Sequence, residues 1–74
     1  METYIDIYMS TEGEKASIVY NKILNMGLKP AIGNHDFVHK WEGIVSIGEV
    51  INFADKLQEE LKGTGAFMKI TSDR

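Results

Sequence analysis

Two stretches of helical period, each closed by a glycine, stand between segments that alternate with the period of a strand, and that order limits what the chain can fold into. Ala16, Val19, Ile23 and Met26 recur at helical spacing, and Gly27 follows them as a residue without a β-carbon, the common close of a helix. Ile47, Val50, Ala54, Leu57 and Leu61 form a second stripe, with Gly63 after it. A capping-box pattern precedes each stripe, Thr11-Glu12-Gly13-Glu14 and Ser46-Ile47-Gly48-Glu49. In such a box the hydroxyl accepts an amide proton three residues on and the glutamate reaches back to the cap.

The segments around the helices read as strands. Thr3 to Ser10 alternates, with Ile5, Ile7 and Met9 on one side and Tyr4, Asp6 and Tyr8 on the other. KPAIG holds Pro30, which cannot donate to a ladder and so belongs at an edge. Asn34, His35 and Asp36 are turn formers that lead into FVHKW, completing a hairpin. AFMKITS is the last strand, with Met68 and Ile70 opposite Phe67, Lys69 and Thr71. No linker, repeat or low-complexity tract interrupts residues 1–74, which form a single domain.

The order βαββαβ predicts an α+β, ferredoxin-like sandwich: a four-stranded antiparallel sheet with both helices on one face. Strands one and three lie in the middle and the Pro30 strand on an edge. Because strand side chains alternate, Ile5, Ile7, Met68 and Ile70 turn to the helices, and Tyr4, Tyr8 and Phe67 stand on the uncovered face. In strand three, burying Lys40 unpaired costs more than exposing a tryptophan gains, so Phe37, His39 and Trp41 face the helices and Val38 and Lys40 the open side. Trp41 is expected against helix two.

Composition narrows the function classes. A chain of 74 residues hides only about 60% of its unfolded surface, so a lone core is marginal. Without cysteine there is no disulfide, thiolate catalysis or cysteine-ligated zinc, and self-association is the natural source of further burial. A homodimer or higher oligomer is expected, with Tyr4, Tyr8, Val38 and Phe67 at its interface. Eight Lys and Arg against eleven Asp and Glu give a net charge of −3, and Arg74 is the only arginine. Nucleic-acid binding calls for a cationic stripe that this chain lacks. The start, METYIDIYMS, has neither a basic n-region nor an apolar h-region, and no apolar run reaches membrane-span length, so a cytoplasmic protein without a membrane partner is expected.

The stretch NHDFVHKWEG gathers both histidines and the only tryptophan. A metal site from His35, Asp36 and His39 fails on spacing, because along a strand the two rings lie about 13 Å apart. RNA recognition on this fold stacks bases on aromatics of the central strands, where Tyr4 and Tyr8 stand. The third strand, however, reads DFVHKW where that motif has K/R-G-F-G/A-F-V, and the charge is acidic. No G-x-S-x-G, phosphate loop or H-E-x-x-H is present, and the loop STEGEK lacks the arginine that acylphosphatase chemistry on this fold would place there. No enzyme activity, metal or cofactor is expected.

NMGLKPAIG, then WEG, then a helix entered through SIGEV, then KGTGAFMKITSD, resemble the small thiamine- or hydroxymethylpyrimidine-binding YkoF-like family. Gly27, Leu28, Lys29, Glu42, Gly43, Ile70 and Asp73 occupy the matching places. Lys40-Trp41 departs from the threonine that the family carries before its turn. The resemblance implies a non-catalytic protein that holds a small heteroaromatic molecule and assembles through its open sheet faces. The expected ligand residues are Tyr8 and His39, beside the loop from Ser10 to Gly13, since loops held by a sheet carry function more often than the sheet itself.

Overall fold

A computed structural model describes residues 1–73. Its elements are β1 (Glu2–Tyr8), α1 (Ala16–Asn25), β2 (Lys29–Pro30), β3 (Phe37–Lys40), α2 (Ile47–Leu61) and β4 (Phe67–Asp73). The strands form one antiparallel sheet in the order β2-β3-β1-β4. This is the ferredoxin-like βαββαβ arrangement, with β1 and β3 central and the Pro30 strand at an edge, as its missing N–H demands. Both helices close on glycines with left-handed backbone, Gly27 at φ +92° and Gly63 at φ +83°.

The core lies between the sheet and the helices: Ile5, Val19, Ile23, Leu28, Phe37, Leu57 and Leu61 are buried. The alternation of each strand sorts the rest. Thr3 and Ile5 pair with His39 and Phe37 on the helix side, while Tyr4 pairs with Val38 on the open side. Strand three thus has the expected phase. On β4, Met68 and Ile70 are half-buried and Phe67, Lys69 and Thr71 exposed. Thr3 is a polar residue with no exposure, and its hydroxyl is satisfied from two sides, by the Trp41 indole N–H at 2.8 Å and the Ser72 hydroxyl at 3.0 Å.

Three local expectations are corrected. Strand one stops at Tyr8, and Met9 is exposed. The Ser46–Glu49 capping box forms with both hydrogen bonds, but the one at Thr11 does not: α1 starts at Ala16 after Lys15, with no side-chain cap. The reason is tertiary. The Glu14 N–H donates to the Thr64 carbonyl at 2.8 Å, and Gly13 lies so close to Thr64 and Gly65 that a β-carbon there would overlap the Thr64 carbonyl oxygen. The segment is therefore docked on the α2–β4 turn instead of winding into a helix. In α2, Ile47 opens the helix and remains 62% exposed. Phe53, three residues after Val50 and four before Leu57, packs against the core in its stead.

Candidate functional site

The four residues expected around a ligand are not brought together. Ser10 and Gly13 share a shallow cleft of about 310 Å³ with Met9, Thr11 and Lys15. The polar groups of that loop are occupied, the Ser10 hydroxyl by the Glu12 N–H and the Ser10 carbonyl by the Gly13 N–H, both at 3.2 Å. Tyr8 stands on the open sheet face opposite Phe67. His39 lies opposite Thr3 on the helix face, five residues from Tyr8 along β1, or about 16 Å at strand rise.

His39 has a site of its own. Its ring stacks on Phe53 from α2, with centroids 4.6 Å apart and planes at 22°, and meets Trp41 edge-on at 4.6 Å and 88°. Trp41 in turn contacts Phe53 at 5.4 Å, which places it against helix two as expected. The indole N–H donates to the Thr3 hydroxyl, and the Trp41 backbone N–H donates to the Met1 carbonyl and so extends the ladder beyond β3. Beside these rings is a cleft of about 280 Å³, lined by Gly27, Lys29, Val38, Lys40 and Glu42 together with His39 and Trp41. Burial pushes the His39 pKa below its ordinary 6.5, because a half-buried imidazolium loses hydration.

The cleft exists because β2 is so short. Its pairing with β3 covers only Lys29–Val38 and Pro30–Phe37. The chain has turned away at Gly27 before it can meet Lys40. Neither His39 ring nitrogen has a hydrogen-bond partner among the described residues. No buried side-chain nitrogen or oxygen there is left unpaired, so the nitrogens face the cleft or solvent. A neutral imidazole offers one donor and one acceptor, Trp41 an apolar edge, and Lys29 and Lys40 two cations at the rim.

The open face carries a second cluster that the residue pattern did not disclose. Tyr4 stacks on His35, with centroids 4.4 Å apart and planes at 18°. The Asp6 carboxylate binds His35 Nδ1 at 3.0 Å and accepts the Asp36 N–H at 3.1 Å. Asp36 replies by accepting the Ile7 N–H at 2.9 Å, the donor left over where β3 ends. The His35 hydrogen bond, aided by the Asp36 N–H, holds the Asp6 pKa below its usual value. The Tyr4 hydroxyl donates to Glu2, whose carboxylate keeps the phenol protonated above its ordinary range.

Each expected interface residue lies on this face. Tyr4 and Val38 are neighbours and half-buried; Tyr8 and Phe67 are neighbours and 57% and 71% exposed. His35 joins Tyr4 there while His39 lies beneath the sheet, and no group of three or more metal-ligating side chains occurs among the described residues. No helix among them is long and apolar enough to cross a membrane. Compared with protein-family models, curated proteins and solved structures, the chain matches none.

Proposed function

We propose that this chain is a non-catalytic module that holds a small planar heterocycle in the cleft beside His39 and Trp41 and assembles with copies of itself through the open sheet face. The observation that carries the ligand reading is His39: a half-buried imidazole whose pKa burial lowers, with no hydrogen-bond partner for either nitrogen among the described residues and an indole at its side. The two nitrogens face the cleft or solvent, and a heterocycle with ring nitrogens or an exocyclic amine supplies a partner for each. Thiamine and hydroxymethylpyrimidine are the members of that class singled out by the resemblance in NMGLKPAIG and KGTGAFMKITSD.

Self-association has its own support. Register places Glu2, Asp6, Asp73, Lys29, Lys40 and Lys69 on the open face. Three charges of each sign leave that face neutral on a chain of net charge −3, a mixture that a second copy can complement and that a polyanion gains little from.

Titrating thiamine or hydroxymethylpyrimidine into the labelled protein tests the ligand reading. The His39 ring signals, the Trp41 indole N–H and the Gly27 and Lys40 amides are expected to shift together, and a ligand at 100 times its dissociation constant raises stability by about 2.7 kcal/mol. Shifts confined to Ser10–Gly13 would return the site to the first loop. Unchanged spectra at millimolar ligand would discard the heterocycle. Binding of single-stranded RNA that weakens steeply with salt would replace this reading with a nucleic-acid one.

A further inference from the structure

The sheet ends on a long bare edge. On the β2 side the edge is two residues with a proline, whereas β4 runs for seven residues, Phe67–Asp73, without glycine or proline and in unbroken register with β1. The direction of its backbone groups follows from β1. The Trp41 N–H bonds the Met1 carbonyl and the Ile7 N–H bonds Asp36, so the odd-numbered residues of β1 turn their backbone to β3. Glu2, Tyr4, Asp6 and Tyr8 therefore bond toward β4, where they face Asp73, Thr71, Lys69 and Phe67. Met68, Ile70 and Ser72 are left with N–H and C=O groups aimed outward. Natural edges are blunted by proline, bulges, short length or charged side chains, lysine above all. Of these, this edge has only the charges of Lys69 and Asp73.

We propose that β4 pairs antiparallel with β4 of a second copy about a two-fold axis at Thr71, joining two four-stranded sheets into one of eight. The axis stands normal to the sheet, so the helices of both copies stay on one side. In this register Ile70 and Ser72 of the two copies lie opposite each other and exchange the outward backbone bonds. Thr71 meets Thr71, and Lys69 meets Asp73 twice, all on the open side. The alternatives are poorer: an axis at Lys69, of equal length, sets like charges together, and one at Ile70, although it pairs all seven residues, sets Asp73 against Phe67. Opposite charges and threonine pairs are the favoured cross-strand neighbours. This interface is separate from the open-face contact proposed above and does not depend on it.

The chain has no cysteine, so single cysteines report the register cleanly. A non-hydrogen-bonded antiparallel pair holds its Cα atoms about 4.5 Å apart, within disulfide range. Thr71→Cys is expected to give a covalent dimer under mild oxidation, and Ile70→Cys is not. Ser72→Pro deletes one outward N–H and leaves the β1 ladder intact; with an unchanged circular dichroism spectrum it should lose one association step in sedimentation equilibrium. Lys69→Asp should weaken the dimer at least tenfold, and Lys69→Asp with Asp73→Lys should restore it, which serves even if the proline variant fails to fold. Tyr8→Lys with Phe67→Lys should abolish only face association. Cross-linking through Ile70→Cys instead, or an assembly that the Tyr8 and Phe67 variant abolishes while Lys69→Asp leaves it unchanged, would overturn the edge pairing.

Discussion

The Trp41 indole N–H donates to the hydroxyl of Thr3, a residue with no solvent exposure, across 2.8 Å. That bond ties the segment after β3 to the helix face of β1 and fixes the ring on which His39 leans. Thr3→Val keeps the shape of the side chain and removes the acceptor of the indole N–H, while the exposed Ser72 hydroxyl turns to water. It is expected to cost about 1–3 kcal/mol in urea unfolding. Trp41→Ala loses the ring contacts as well, and because the ring is half-buried, its cost should sit near about 3 kcal/mol, the low end for a core aromatic. Trp41 emission should be partly blue-shifted in the parent and move to the red in Thr3→Val.

Asp6 and Asp36 exchange hydrogen bonds, each accepting a backbone N–H from the other's neighbourhood. They close the ladder where β3 has no residue left to pair with Ile7. Asp36→Ala should leave the Ile7 N–H to water and fray the tip of the β2–β3 hairpin, seen as faster hydrogen exchange at Ile7 and Ala31. Its stability cost should be about 1 kcal/mol, since the site is exposed. Asp6→Asn removes the charge that holds His35, and the stacked contact between His35 and Tyr4 should loosen in the ring chemical shifts.

The elements were legible in the sequence because each rests on a period that local physics enforces. Ile5 and Ile7 alternate, Val19 and Ile23 recur every turn, and Ser46 with Glu49 caps α2 as written. The candidate site was less legible. The contacts that build it join residues far apart in the chain, His39 and Trp41 to Phe53 and Trp41 to Thr3, and so do those of the open-face cluster and the first loop, Asp6 to His35 and Asp36 and Gly13 to Gly65. Thr11 and Glu14 show the cost of local reasoning, since a valid capping box lost its helix to the bond that the Glu14 N–H donates to the Thr64 carbonyl. Phe53 could have been found, because its spacing from Val50 and Leu57 places it on the same stripe.

Gly13 is required by close approach of two backbones. A methyl group at that position would meet the Thr64 carbonyl oxygen and the Gly65 Cα, neither of which can swing aside as a side chain does. Gly13→Ala should destabilise by about 1–3 kcal/mol, the usual cost of overpacking, and should shift the amide signals of Thr64 and Gly65. Gly48→Ala is the contrasting case. Its β-carbon meets only the Ser46 hydroxyl oxygen, at an ordinary 3.8 Å, and alanine favours the helix by about 1 kcal/mol, so this variant should melt higher than the parent.

His39 makes stability depend on pH in a window set by its own burial. In the unfolded chain the ring takes up a proton as pH falls through 6.5, while in the folded chain desolvation holds the pKa lower. Between those two values the unfolded state binds more protons, so stability rises with pH there and is lost as pH falls. Above 6.5 the ring is neutral in both states and contributes no slope. The lowered pKa of Asp6 acts separately and further into acid, where stability fades as pH drops below the ordinary carboxylate value of 3.8. Lys29, Lys40 and Glu42 share the cleft with His39. Urea unfolding at pH 7.5 and 5.5 should show the parent losing stability between them. His39→Phe keeps a ring on Phe53 and abolishes the titration, so it should lose less over the same interval. Equal losses in the two proteins would show that His39 is free to protonate in the fold.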